Sequence, residues 1–139
     1  MIQIESLDHL VLTVADLQRS IDFYTQILGM QEITFGNNRK ALLFGKQKIN
    51  LHLKGKEIEP KAAAATCGSA DLCLLTSTDL NDVIQHLQRQ QIEILDGIVQ
   101  RTGAVGQIES VYLRDPDGNL LEISRYLSAS DRAPQTHSG

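Results

Sequence analysis

The run Leu7-Asp8-His9-Leu10-Val11-Leu12-Thr13-Val14, closed by Ala15-Asp16 and followed by Leu17 to Leu28, decides how this chain folds. Its apolar and β-branched residues read as a buried strand. Asp16 then stands where a helix N-cap is expected. Ile21, Tyr24, Ile27 and Leu28 recur at helical spacing, so a helix from Leu17 to about Leu28 has one apolar face. Gly29 occupies the usual place of a left-handed C-cap.

Beyond Gly29, the runs 31–35, 40–44 and 48–53 are β-like and separated by Gly36-Asn37-Asn38 and Gly45, which reads as a three-strand meander. The segment 55–68, with Pro60 and the Ala62–Ala65 run, is a connector, and a short alanine helix within it stays open. The pattern then recurs, with a strand over Ala70–Thr76 and a helix over Leu80–Gln90 whose inner face is Val83, Ile84 and Leu87. Three more strands are expected over Ile92–Leu95, Glu109–Leu113 and Leu120–Tyr126. A period of about 62 residues means two copies of one βαβββ unit, each too small to bury its own sheet face. The fold class expected is therefore α+β. Module one spans 6–54 and module two spans 69–126, within a single domain of residues 1–127. Residues 128–139 are polar and aperiodic and read as a disordered tail.

Composition narrows the function. The chain has 139 residues, 42% hydrophobic and 22% charged, with a net charge of −4. An acidic balance argues against a phosphate-neutralising surface, and six aromatic residues are too few for base-stacking platforms, so no nucleic acid is expected. No apolar run approaches a membrane span, and Met1–Glu5 lacks the start of a signal peptide. Two cysteines make no disulfide framework. A soluble cytoplasmic protein with a small-molecule partner is the expectation.

Two end motifs carry a resemblance. The first is Asp8-His9, followed by Val14-Ala15-Asp16-Leu17 and by Phe23-Tyr24 ahead of Leu28-Gly29. The second is Tyr112-Leu113-Arg114-Asp115-Pro116-Asp117-Gly118-Asn119-Leu120-Leu121-Glu122-Ile123. Over residues 6–126 the chain resembles the vicinal oxygen chelate superfamily, which includes glyoxalase I, fosfomycin-thiol transferases, extradiol dioxygenases and bleomycin-resistance proteins. The resemblance implies paired βαβββ modules whose curved sheets enclose a metal-binding cleft, built within one chain or between the chains of a homodimer. It implies a divalent ion (Zn, Ni, Mn or Fe) and glyoxalase I-like lyase or isomerase chemistry through a metal-stabilised enediolate or oxyanion. An extradiol-type dioxygenase and a non-catalytic drug-binding protein are the alternatives.

The resemblance places metal ligands at His9 and Glu122, and Glu122 is also the candidate base. On the residues alone, His9 reads equally as a core histidine, and Glu122 as the partner of Arg125 or Arg114. The span Gly45–His52 has the spacing of Asp115–Glu122, so the repeat proposes His52 as a third ligand. Asn50 replaces it if the turn differs by two residues. The family's second-module histidine is absent here. Asp71 stands in its place, either as a ligand of altered preference or as a solvent-facing strand start. Arg101–Gly106 reads as a loop with one cation, Cys73 as a core thiol, and His86 and His137 as bystanders.

Overall fold

The computed structural model describes residues 1–128, so the expected tail lies, but for Ser128, outside the described residues. The chain divides into two compact units. One comprises Met1–Ala70 with Pro116–Gly118, and the other comprises Asp71–Asp115 with the chain from Asn119 onward.

In the first unit, strand β1 (His9–Val14) leads into helix α1 (Leu17–Asp22). Asp16 is the N-cap as read, accepting from the Arg19 amide at 3.0 Å. The expected three-turn helix does not run on as an α-helix. It widens into a π-helical turn over Phe23–Ile27, where the Thr25 hydroxyl donates back to the Ile21 carbonyl at 2.8 Å. Gly29 then takes the left-handed conformation, with φ of 73°. Strands β2 (Gln31–Phe35), β3 (Arg39–Phe44) and β4 (Gln47–Leu53) complete a four-stranded sheet of order β1-β4-β3-β2. β1 runs parallel to β4, and the other neighbours are antiparallel. Leu12, Val14, Leu42, Ile49 and Leu51 are buried on the helix side of this sheet. The connector contains turns and bends, and no alanine helix forms at 62–65.

The second unit repeats the plan with β5 (Asp71–Leu75), α2 (Leu80–Arg89), β6 (Asp96–Thr102), β7 (Gln107–Arg114) and β8 (Leu120–Tyr126), in the order β5-β8-β7-β6. Asp79 caps α2, whose inner face buries Leu80 and Leu87. One strand falls elsewhere than its alternation predicts: Ile92–Leu95 is not a strand, and β6 begins at Asp96. Gln91, at φ of 58°, turns the chain after α2, and the Ile92 amide is taken up by the Leu87 carbonyl. Arg101 and Thr102 consequently lie in β6, and only residues 103–106 form the loop. The fold is thus two repeated βαβββ units with mixed four-stranded sheets. Among the described residues no helix is long and apolar enough to cross a membrane.

The Asp-Pro-Asp-Gly-Asn turn does two jobs. Asp115 accepts from the Asn119 amide at 2.9 Å and from its side chain at 2.8 Å, which sets where β8 begins. Asp117, in the part of the turn that belongs to the first unit, accepts from the Ala15 amide at 3.0 Å and the Ser20 hydroxyl at 3.4 Å.

Candidate functional site

Alternation places His9, Val11 and Thr13 on one face of β1, and the register brings Lys48, Asn50 and His52 of β4 beside them. His9 is no core histidine, its side chain being 43% exposed. Its Nδ1 lies 2.7 Å from Asp8 Oδ2, an arrangement that orients the ring and leaves Nε2 as its outward nitrogen. His52 is buried, at 6% exposure, and pairs with Thr13. Four residues of β1 separate that pair from His9, about 13 Å along the strands. Asn50, two residues nearer to His9, is 5% exposed.

Two buried side-chain atoms on this face, Asn50 Oδ1 and His52 Nε2, have no hydrogen-bond partner among the described residues. Such atoms are uncommon, because each forgoes about 1–3 kcal/mol of solvation without replacement. Burial, and secondarily the positive charge of Arg39, hold the His52 pKa below its ordinary value, with Glu57 opposing. Beside His52 lies a cavity of about 400 Å³, lined by Val11, Thr13 and His52 on the strand side. Pro60, Lys61, Ala62 and Ala65 of the connector form its other wall.

In the second unit the corresponding face carries Asp71 and Cys73 of β5 beside Leu120, Glu122 and Ser124 of β8. Asp71 pairs with Leu120 and Cys73 with Glu122, so the two carboxylates are one step apart on neighbouring strands. Ser110 donates to Glu122 Oε2 at 2.5 Å and lies 2.7 Å from Ser124, which receives the Cys73 thiol at 3.3 Å. Ser124 also lies 3.4 Å from Glu122 Oε2, so either serine can give its single proton to the carboxylate or to the other hydroxyl, and the Cys73 thiol feeds into the pair. This network converges on the carboxylate and orients it. Arg125, the partner that sequence offered for Glu122, instead lies 3.7 Å from Asp79 and 3.8 Å from Glu109.

Tyr112 is level with Glu122 in the β7–β8 register, and Arg101 Nε donates to its hydroxyl at 3.2 Å. Burial pushes the Tyr112 phenol up; the Arg101 hydrogen bond opposes this, and the Glu122 charge adds to it. Cys73 is exposed rather than a core residue. Its thiol is also pushed up, first by loss of solvation and then by Glu122 and Asp71 against the Ser124 hydrogen bond. It is therefore no ready nucleophile at neutral pH.

Sequence reasoning did not single out Ser110, Ser124 or Tyr112. Their signal was available: the two serines are polar residues inside otherwise apolar strand runs, and Tyr112 precedes the second motif's turn. Of the sequence candidates, Asp71 and Glu122 share one face, two register positions apart on neighbouring strands, and His9 and His52 share another, four positions apart. Among the described residues, no three of His, Cys, Asp or Glu form a group that could hold a metal ion. The donors themselves, an oriented imidazole and hydrogen-bonded carboxylates, suit zinc, nickel, manganese or iron. His86 is half-buried on α2, and His137 lies outside the described residues.

The glyoxalase/bleomycin resistance protein/dioxygenase superfamily model matches residues 6–123. Virulence protein STM3117 of Salmonella typhimurium is 56% identical over 124 residues, 89% of this chain and 86% of that protein. Its crystal structure matches with a TM-score of 0.89, covering 91% of this chain and all of the other. A glyoxalase domain-containing protein of Mycosarcoma maydis, RDO1, is 54% identical over 92% of this chain and 72% of its own length. The metallothiol transferase FosB of Staphylococcus epidermidis is 30% identical over 87% of this chain and 82% of its own. The chain belongs to the glyoxalase/bleomycin resistance protein/dioxygenase superfamily.

Proposed function

We propose that this protein is a divalent-metal-dependent enzyme acting on a small oxygenated metabolite, with glyoxalase I-like lyase or isomerase chemistry. One observation carries the reading: Glu122 is held by the Ser110 and Ser124 hydroxyls, with a second carboxylate, Asp71, on the same face two register positions away. Glu122 and Asp71 are the ligands proposed on the second unit's face, and His9 the one proposed on the first. His9 is oriented for the task by Asp8, as metal-binding histidines are by a carboxylate on the other ring nitrogen. A bound divalent ion supplies Lewis acidity toward adjacent substrate oxygens.

The chain's own groups supply the rest. Glu122 accepts the proton from the carbon beside a carbonyl, since its Oε2 is fixed by Ser110. Tyr112, positioned by Arg101, stands beside it as a hydroxyl donor toward a developing oxyanion.

A second reading, thiol transfer, is supported by the FosB relative. An extradiol dioxygenase is the third. A drug-sequestering role is less well supported, because His52 is the only aromatic ring among the residues lining the cavity.

Metal analysis of the purified protein tests the common element. The wild type is expected to carry stoichiometric divalent metal that His9→Ala and Glu122→Gln lose, and equal metal content in all three sinks the reading. Hemithioacetal isomerisation, thiol consumption with an epoxide, and oxygen uptake with a catechol then separate the three reactions.

A further inference from the structure

The cavity beside His52 has a composition of its own. Val11, Pro60 and Ala65 offer no hydrogen bonds, so that part of its lining suits a hydrocarbon body. His52 contributes Nε2, buried and without a partner among the described residues. A neutral imidazole presents an N–H at one ring nitrogen, and in the tautomer protonated at Nε2 that donor has no protein acceptor among the described residues.

Lys61 brings a cation to the same wall. Its ammonium lies 3.8 Å from Glu57 and 4.0 Å from Glu59, both beyond hydrogen-bond distance. Glu57 already accepts from the Gly55 amide at 2.9 Å through its other oxygen. The Lys61 hydrogens are therefore uncommitted to these two partners. Arg39 adds positive potential, because Lys40 pairs with Leu51 and so sets Arg39 level with His52.

A buried donor, a cation with free hydrogens and an apolar wall together match one ligand class. We propose that this cavity binds a small aliphatic carboxylate, with His52 Nε2 donating to one carboxylate oxygen and the Lys61 ammonium to the other. The inference rests on the small-metabolite reading above and gives it a substrate class, an organic acid. It also gives His52 a role distinct from metal ligation.

The test is a titration of the full-length protein, as purified and again after EDTA dialysis, with pentanoate and with the neutral isostere pentanamide. The readout is the His52 imidazole nitrogen resonance. Pentanoate is expected to shift it saturably, with the same Kd before and after dialysis, and pentanamide to bind at least tenfold more weakly. Lys61→Met, at a half-exposed position, is expected to weaken pentanoate about tenfold and leave pentanamide unchanged. Absence of a saturable shift, equal binding of acid and amide, an unaffected Lys61→Met, or binding that disappears with the metal each overturns the proposal. Metal-site failure does not move this readout, so the two readings fail separately.

Discussion

The two units share a strand order but finish their polar faces in opposite ways. On the second sheet, Ser110, Ser124 and Cys73 form a hydrogen-bonded network that converges on Glu122 Oε2. On the first, His52 and Asn50 are also buried, but each leaves an atom unpartnered among the described residues. The first arrangement is a group held ready in one orientation. The second is a surface that gains by acquiring an outside partner. Duplication of a supersecondary unit therefore yields two faces that treat their polar groups differently, one bonding its carboxylate from within and the other keeping unpartnered atoms.

The largest expected effect tests whether the second unit depends on its close β6–β7 approach. At Gly97, φ is 133°, and a Cβ would sit 2.8 Å from Val111 Cα and 2.9 Å from the Ser110 carbonyl. Strain and overpacking together put Gly97→Ala at about 3 kcal/mol of lost stability. Gly45, in the first unit, also has positive φ, at 53°, but nothing lies within 4 Å of its added Cβ. Gly45→Ala is expected to cost only about 1 kcal/mol. Denaturant unfolding of both variants decides the matter, and equal losses would remove the asymmetry.

The next effect concerns the donor chain. Ser110→Ala removes the shorter of the two serine bonds that orient Glu122 and leaves only the 3.4 Å bond from Ser124. If Glu122 is a metal ligand, affinity for the ion should fall about tenfold, the lower end of what outer-shell partners contribute. A competition titration with a chromophoric chelator measures this. Unchanged affinity would mean that the serines serve packing alone.

Much of this was legible in the chain and some was not, for reasons that particular residues make plain. The start of the first helix was readable because Asp16 is a local cap whose chemistry needs no tertiary context, and Asp79 caps α2 by the same chemistry. The strand at Ile92–Leu95 was misplaced because four alternating residues imitate a strand, whereas β6 itself has Gly97 near its start and polar Gln100 and Arg101 inside it. The equivalence of His52 with Glu122 rested on equal spacing from a turn. The turns differ: two residues separate the paired Phe44 and Gln47, but five separate the paired Arg114 and Leu120. Measured from the neighbouring parallel strand, Asn50 stands to His9 as Glu122 stands to Asp71, and His52 lies one step further on. Register is a pairing property, and one strand read alone does not contain it.

The smallest effect separates the two faces by pH. Burial and Arg39 lower the pKa of His52 in the folded chain relative to the ordinary value of 6.5. As pH falls below about 6.5, the unfolded chain takes up a proton that the folded chain refuses. Stability associated with His52 is thus complete above that pH and is lost as pH drops toward the lowered folded value, below which the loss levels off. His52→Gln cannot titrate, so its melting temperature should fall less than that of the wild type between pH 7.5 and 5. Above pH 7.5 the two pH profiles should run parallel. Scanning calorimetry on EDTA-dialysed protein isolates this from any metal-linked proton release. Parallel profiles across the whole range would mean that His52 is no harder to protonate in the fold than in the open chain. The unpartnered Nε2 would then lie in a polar environment, and the contrast with the hydrogen-bonded Glu122 face would rest on Asn50 alone.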